Sequence, residues 1–226
     1  MKLSYLITCK NETKTLSNLL ENLISVRLNE DEIVIIDDYS DNEKTKEILK
    51  SVSKVNNVFL YQNHLNNDYG SQKNIGIQKC SGSWVFQIDG DELPSDSLVF
   101  NIREIIETNK NIELIWVPRI NAWEGLTEEH AKQWGWKLDI SPTYKRFRAA
   151  WPDYQGRIFK KDYPRIHWER KLHEHITGQN EHAFLPDDEE LSLYHDKTIE
   201  TQVETNLRYN KQFSTEENKG ISQKYE

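Results

Sequence analysis

Along the first hundred residues, short apolar runs alternate with longer segments in which apolar side chains recur every third or fourth position. Residues 3–8 form a short β-rich run, and after a cap signal at Asn11 or Thr13 the residues Leu16, Leu19, Leu20, Leu23 and Ile24 repeat at helical spacing. Residues 32–37 read EIVIID, the near-continuous apolar run of a parallel strand buried on both faces. A cap at Ser40 or Asp41 then leads into a helix through Ile48, Leu49 and Val52. Further strands are expected at 57–61, 83–89 and 111–118, and further helices at 68–79 and 95–108. Strands alternating with helices of this length predict βαβ crossovers, hence an α/β fold with a mostly parallel central sheet flanked by helices. Beyond residue 118 the rhythm breaks. Residues 119–226 read as an irregular, Trp-rich second half of the same domain, with short strands, an amphipathic helix near 198–213 and a polar tail, 214–226.

Composition narrows the class. The chain has 226 residues, 29% of them charged, with 7 Trp, 10 Tyr and 7 Phe, and a mean hydropathy of −0.80. It is too aromatic for a disordered chain and polar for a globule. No apolar run reaches the ~18 residues of a membrane span, and the start lacks a signal peptide's apolar core, so no transmembrane segment is expected. Cys9 and Cys80 are too few for a disulfide scaffold or a cysteine-based zinc site and point to a reducing, cytoplasmic setting.

The net charge of −8 argues against indiscriminate binding to nucleic acid, but the charge is uneven. Residues 145–171 carry nine Lys and Arg, Lys145, Arg146 and Arg148 among them, against three acids, while 181–196 carry six acids and no Lys or Arg. The first stretch is suited to meeting an anion; a solvated face balanced by its acidic neighbour is the plainer alternative. Six of the seven Trp fall within 116–168. Aromatic faces there suit a sugar or a base, although Trp is also ordinary core material.

In an open parallel sheet, ligands sit beyond the carboxyl ends of the strands. Three expected strands end there in polar residues: Thr8, then Asp37 and Asp38, then Asp89-Gly90-Asp91-Glu92. Asp89 and Asp91 are expected to project to one side, with Gly90 between them leaving room for a ligand to approach the backbone. Hard carboxylate oxygens of this kind suit Mg2+ or Mn2+ completed by ligand phosphates. Neither an EF-hand pattern nor a phosphate-binding G-x-x-x-x-G-K-[ST] loop is present.

The ordered set Thr8-Cys9-Lys10-Asn11-Glu12, Ile36-Asp37-Asp38-Tyr39-Ser40-Asp41, Gly70-Ser71-Gln72-Lys73-Asn74-Ile75-Gly76 and Gly82-Ser83-Trp84 running into Asp89-Gly90-Asp91-Glu92 resembles the family 2 glycosyltransferases of GT-A fold. The resemblance covers about residues 1–95. It implies a nucleotide-diphospho-sugar donor, with uracil the expected base, and inversion at the anomeric carbon. It implies that Thr8, Lys10, Glu12 and Asp38 hold the nucleoside, that Lys73 lies near the base or phosphates, and that Asp89, Gly90 and Asp91 flank a metal and the diphosphate.

The second half resembles members that build lipopolysaccharide core and related bacterial glycans, through Arg157-Ile158-Phe159-Lys160-Lys161, Trp168, His173-Glu174 and Leu193-Tyr194-His195-Asp196-Lys197. That likeness makes Glu174 the catalytic base, with Asp153 and Glu92 as lesser candidates. It makes His195 a metal ligand beside Asp89 and Asp91, and assigns Arg157, with Lys160 and Lys161, to the donor diphosphate or a phosphorylated acceptor. Trp151, Trp168 and His173 are the expected acceptor contacts, and the insert 121–151 is expected to choose the acceptor. The expected acceptor is a glycan or lipid-linked glycan, which allows a peripheral position at the inner membrane face, or a hydroxylated DNA base. A nucleotidyltransferase or nucleoside-diphosphate hydrolase, and an inert glycan-binding module, are the competing readings.

Overall fold

The computed structural model describes residues 1–143 and 147–218. Lys145 and Arg146 of the basic stretch, and positions 219–226 of the polar tail, lie outside the described residues.

The first half follows the expected alternation: β1 (Leu3–Cys9), α1 (Lys14–Val26), β2 (Glu32–Asp37), α2 (Glu43–Val52), β3 (Val58–Gln62), α3 (Tyr69–Lys79), β4 (Trp84–Asp89), a two-residue β5 (Leu93–Pro94) and α4 (Asp96–Thr108). β6 (Leu114–Glu124), α5 (Glu128–Trp134), β7 (Leu138–Ile140), β8 (Phe147–Lys160), β9 (His167–Glu169), β10 (His175–Thr177), β11 (His182–Phe184), β12 (Leu193–Thr198) and α6 (Ile199–Gln212) follow. Helix starts are set by short polar side chains: Asn42, not Ser40 or Asp41, caps α2 by accepting from Lys44 N and Thr45 N, Asp68 caps α3 and Ser95 caps α4. Thr198 caps α6.

The main sheet runs β3-β2-β1-β4-β8-β6-β12-β5, with β11 also beside β6 and β7 beside β8. β3, β2, β1 and β4 are parallel. β8 then enters antiparallel to both β4 and β6. The second half is thus less irregular than its sequence suggests, since it supplies a fourteen-residue strand to the middle of the sheet. β6 runs through position 118, so both halves share one sheet. One face of the sheet is covered by α1 and α4 over Tyr5, Ile7, Ile33 and Phe86. The other, over Leu6, Val34, Val85 and Phe159, is closed by Ile77 of α3 and by Trp168 and Ile176 of the β9–β10 hairpin. Trp123, Trp134 and Trp136 pack into a small separate core with Ile199, and Trp123 Nε1 donates to Gln202 Oε1 at 3.0 Å, fastening α6 to the insert. Among the described residues, no helix is long and apolar enough to cross a membrane.

Candidate active site

The strand order reverses at β1, whose neighbours are β2 on one side and β4 on the other, and the polar strand ends meet there. Thr8 and Asp89 are register partners, and Thr8 Oγ1 donates to Asp89 Oδ1 at 2.9 Å. A single cleft of about 1250 Å³ opens over these ends, lined from Lys10, Asp38 and Leu65 at one extreme, through Lys73, Asp89, Asp91 and Glu174, to Trp116, His182 and Phe184 at the other. A pocket for one small ligand is usually about 300–1,000 Å³, so this one has room for two side by side.

At the Asp38 end, Asn11 welds two loops together. Its amide oxygen accepts from Asp41 N and Asn42 N at 2.9 and 3.0 Å, and its own N–H donates to Ser40 Oγ. A φ of 65°, tolerated by Asn, makes this reach possible. Asp38 is fixed by Lys10 Nζ at 2.7 Å and by Leu65 N at 3.0 Å.

The middle of the cleft is a chain of buried charges. Lys73 Nζ lies 2.6 Å from Glu174 Oε1 and 3.1 Å from Asp89 Oδ1, above the Trp168 ring. Arg157, 2% exposed, donates to Asp89 Oδ2 at 2.8 Å and Glu92 Oε1 at 2.7 Å, and also to Gln87 Oε1. Arg119 bridges Glu92 and Asp153 at 2.9 and 2.7 Å. Burial alone would raise the Asp89 carboxyl, but Arg157 and Lys73 outweigh it and hold the group well below its ordinary value. Asp91 behaves likewise: burial pushes up, and His195 with Lys197 pulls the carboxyl below the usual carboxylate range.

Several expectations change against this geometry. Lys73, expected near the nucleobase or the phosphates, sits between Asp89 and Glu174. Arg157 faces the cleft, but its guanidinium is taken up by protein carboxylates. Lys160 and Lys161 donate to the carbonyls of Lys110 and Cys80, outside the cleft lining. Within the described part of the basic stretch, Arg148 pairs with Asp139 and Glu189 and Arg165 with Glu113 and Asp162. Trp168 is buried beneath Lys73, and Trp151 stacks on Arg148; neither lines the cleft, because a core and a cation occupy their faces. Gly90 is required by the protein itself, since a Cβ there would meet Cys9 Cβ at 2.8 Å.

Glu174 and His173 do reach the cleft, on a loop whose Arg170 and His173 both adopt left-handed φ, 73° and 52°. Each such non-glycine residue costs about 1–2 kcal/mol. The loop is clamped to α3 through Tyr69 N to Lys171 O at 2.9 Å, and it passes so close that a Cβ on Gly70 would lie 2.4 Å from Arg170 O.

Asp89 and Asp91 do not act as one carboxylate pair. Asp89 belongs to the Lys73–Arg157 chain, whereas Asp91 Oδ2 faces His195 Nε2 at 3.4 Å and Lys197 Nζ at 3.0 Å. His195 Nδ1 lies 2.9 Å from Asn121 Oδ1 and its Nε2 faces the Asp91 carboxylate, so the ring stands between two acceptors. A divalent cation taking the place of the Nε2 proton would lie between imidazole and carboxylate, with Asn121 orienting the ring from behind. Among the described residues, no three His, Cys, Asp or Glu side chains form a metal-binding group, so any ion here would draw its remaining ligands from substrate and water. Arg119, Asn121 and Lys197 were not singled out from sequence. Lys197 was legible in principle, two residues after His195 and therefore on the same side of a strand.

Glu12 also lies at this point, its Oε2 accepting from Lys10 N at 2.5 Å. Burial, then Asp91 and Asp89, push its carboxyl up from 4.5 to about 7. A raised acid is protonated in the fold while ionised in the unfolded chain, so its contribution to stability is lost as pH rises from 4.5 to about 7. Glu12→Gln is therefore expected to match the parent's melting temperature below pH 4.5 and to exceed it above pH 7 by roughly 1–3 kcal/mol of stability. Parallel pH-dependent melting curves would contradict this assignment.

A mostly parallel sheet with an Asp-Gly-Asp turn at its switch point marks the class of GT-A glycosyltransferases, and solved structures share the fold. The S. aureus protein TarS superposes with a TM-score of 0.59 over 88% of this chain and 37% of its own. Its 1–349 fragment in complex with UDP-GlcNAc gives 0.60 at 16% identity over 87% of this chain and 59% of that one. The chain belongs to glycosyl transferase family 2, whose model matches residues 4–164. Similar curated proteins are the poly-beta-1,6-N-acetyl-D-glucosamine synthases of Staphylococcus epidermidis, 28% identical over 49% of this chain, and of Staphylococcus aureus strain COL, 26% identical over 40%. The matched segment spans about a quarter of those relatives, 26% and 22% of their lengths.

Proposed function

We propose that this chain transfers a sugar, with inversion, from a UDP-sugar to a hydroxyl of a cell-surface glycan, with Glu174 as the general base. The observation that carries the reading is the shared ammonium of Lys73, which places Glu174 at 2.6 Å and Asp89 at 3.1 Å and so holds the base beside the donor site. Lys73 holds the Glu174 carboxylate in place at the cleft wall. Asp89, fixed by Arg157, Gln87 and Thr8, presents a rigid acceptor to the donor's hydroxyls. Asp38 and Lys10 take the nucleoside.

In the chemical step the acceptor oxygen bonds to the anomeric carbon as the bond from that carbon to the diphosphate breaks. The acceptor proton passes to Glu174, and the nucleoside diphosphate departs with the electron pair. Asp91 and His195 would hold a divalent cation, which supplies charge neutralisation at the leaving diphosphate; imidazole favours Mn2+ over Mg2+. Both the donor bound by TarS and the product named for the staphylococcal relatives support N-acetylglucosamine as the first sugar to test. The pairing of the described Arg side chains between 148 and 165 favours a glycan over DNA as acceptor.

The test is a panel of UDP-, GDP- and TDP-sugars with Mn2+, followed by thermal shift and by donor turnover. UDP-sugars are expected to raise the melting temperature, and Asp91→Ala is expected to remove the Mn2+-dependent part of that rise. If no nucleotide sugar stabilises or is consumed by the protein, the proposed activity is wrong.

A further inference from the structure

β6 carries two polar side chains, Arg119 and Asn121, two residues apart and so on one side of the sheet. Each meets a neighbouring strand. Asn121 is the register partner of His195 on β12, and Arg119 is the register partner of Asp153 on β8. The pairing with β8 slips between Arg119 and Asn121, and Asn121 Nδ2 reaches Asp153 Oδ2 at 2.7 Å. Three strands thus build a row of side chains, Asp153, Asn121 and His195, that ends at Asp91.

The direction of each hydrogen bond in the row is set from its far end. Arg119 donates to Asp153 Oδ2 through Nε at 3.0 Å and Nη2 at 2.7 Å, and Gln155 Nε2 donates to Oδ1 at 2.9 Å. Burial pushes the Asp153 carboxyl up, but Arg119 and then Asn121 outweigh it and hold the group below its ordinary value. An ionised carboxylate can only accept, so Asn121 must turn its NH2 toward Asp153. Its Oδ1 is then presented to His195 Nδ1 at 2.9 Å, and an acceptor at that position calls for a proton on Nδ1. Nε2, 3.4 Å from Asp91 Oδ2, is left as the nitrogen that can face a cation. With the amide of Asn121 reversed, its NH2 would meet Nδ1, and the imidazole would turn an N–H toward the cation site instead.

On the proposed metal-assisted reading, we infer that Asp153, acting through Asn121, is a positioning residue that aims His195 Nε2 at the cation site and so sets the preference of that site for Mn2+ over Mg2+. Mn2+ gains from an imidazole nitrogen, whereas Mg2+ is held by carboxylate, phosphate and water oxygens. Losing the orientation of His195 therefore removes the advantage of Mn2+ and leaves the binding that Asp91 and the diphosphate provide to either ion.

Calorimetric titration of UDP into the full chain, with Mn2+, with Mg2+ and with neither, gives the factor by which each metal tightens UDP binding. In the parent, Mn2+ is expected to tighten it more than Mg2+ does. Asn121→Leu and Asp153→Leu should each lose about 10- to 100-fold of the Mn2+ factor, the range for removing a partner that orients a metal ligand, while the Mg2+ factor stays that of the parent. Asp153→Asn keeps an oxygen for Arg119 and Asn121, so it should retain the parent's Mn2+ factor. A general loosening of the site would weaken both metals alike. Melting temperatures without metal or UDP show whether each variant is folded, and Asn121→Leu carries the prediction should Asp153→Leu not fold. If Asn121→Leu keeps the parent's Mn2+ factor, or if its Mn2+ and Mg2+ factors fall together, the positioning role is wrong and the donor reading stands. If UDP binds the parent no more tightly with Mn2+ than with Mg2+, the assigned preference is wrong, again with the donor reading intact. If UDP does not bind the parent under any of the three conditions, the donor reading falls and takes the positioning role with it.

Discussion

Glu174→Gln is expected to lower the rate of sugar transfer by about 10²- to 10⁴-fold, the range lost when a general base is removed. Donor binding should survive, because the contacts assigned to the nucleoside and diphosphate come from Lys10, Asp38, Asp89 and Asp91. The isosteric amide keeps an oxygen for Lys73, so the loop that carries position 174 should stay in place. The loss then belongs in kcat and not in the donor's KM. Glu174→Asp keeps a carboxylate but withdraws it by one methylene, and it should recover part of the rate only if proton transfer is the function lost. Single-turnover measurements with saturating donor separate these outcomes. Transfer at the parent rate by Glu174→Gln would move the base elsewhere, first to Asp153, which also lines the cleft.

How far the fold was legible depended on how each strand is buried. β2 is buried along its whole length and was read from its apolar run, because a strand covered on both faces has no polar positions to disguise it. β8 has the opposite character. Its sequence, FRAAWPDYQGRIFK, contains Pro152 and Gly156 and turns Asp153, Gln155 and Arg157 toward the cleft, so it reads as a loop. The strand that fills the middle of the sheet is therefore the one whose polar face forms the site. β6 was expected to end near position 118 and continues to Glu124, because Asn121 and Arg119 serve His195, Glu92 and Asp153 and so interrupt its apolar pattern.

For the site, sequence order identified which residues gather, and side-chain pairing decided what they do there. Thr8, Asp38, Asp89, Asp91, Glu174 and His195 all line one cleft. Their division into an Asp89–Lys73–Glu174 chain and an Asp91–His195 pair was invisible, because it depends on which cation lies nearest each carboxylate across contacts far apart in sequence. Six tryptophans in one segment fit either a sugar surface or ordinary core material, and Trp123, Trp134, Trp136 and Trp168 are built into cores. Trp116 reaches the cleft with Phe184, a residue the tryptophan count could not bring in.

Arg157→Met should be the most destabilising single change in the molecule. The guanidinium is 2% exposed and lies between Asp89 and Glu92, and removing one partner of a buried charged pair typically costs about 3–5 kcal/mol, because the remaining charges stay desolvated. The value should fall toward the lower figure, since Arg119 remains on Glu92 and Lys73 on Asp89. Against a total stability of about 5–15 kcal/mol this is a large fraction, and in a chain of this size it corresponds to a fall in Tm of roughly 6–20 °C. The pH dependence has a definite sign. Arg157 holds the Asp89 carboxyl below its ordinary value of 3.8, so the stability it contributes is present above that pH and is lost as pH falls through the folded value. The gap between parent and variant is therefore widest near neutrality and narrows in acid. Adding Asp89→Asn to Arg157→Met should cost less than the sum of the two single changes, because the second substitution removes a charge the first has left exposed to a low dielectric. Strict additivity, or a variant that melts within about 2 °C of the parent at neutral pH, would mean that Arg157 is held by packing on its aliphatic stem and not by the carboxylates around it.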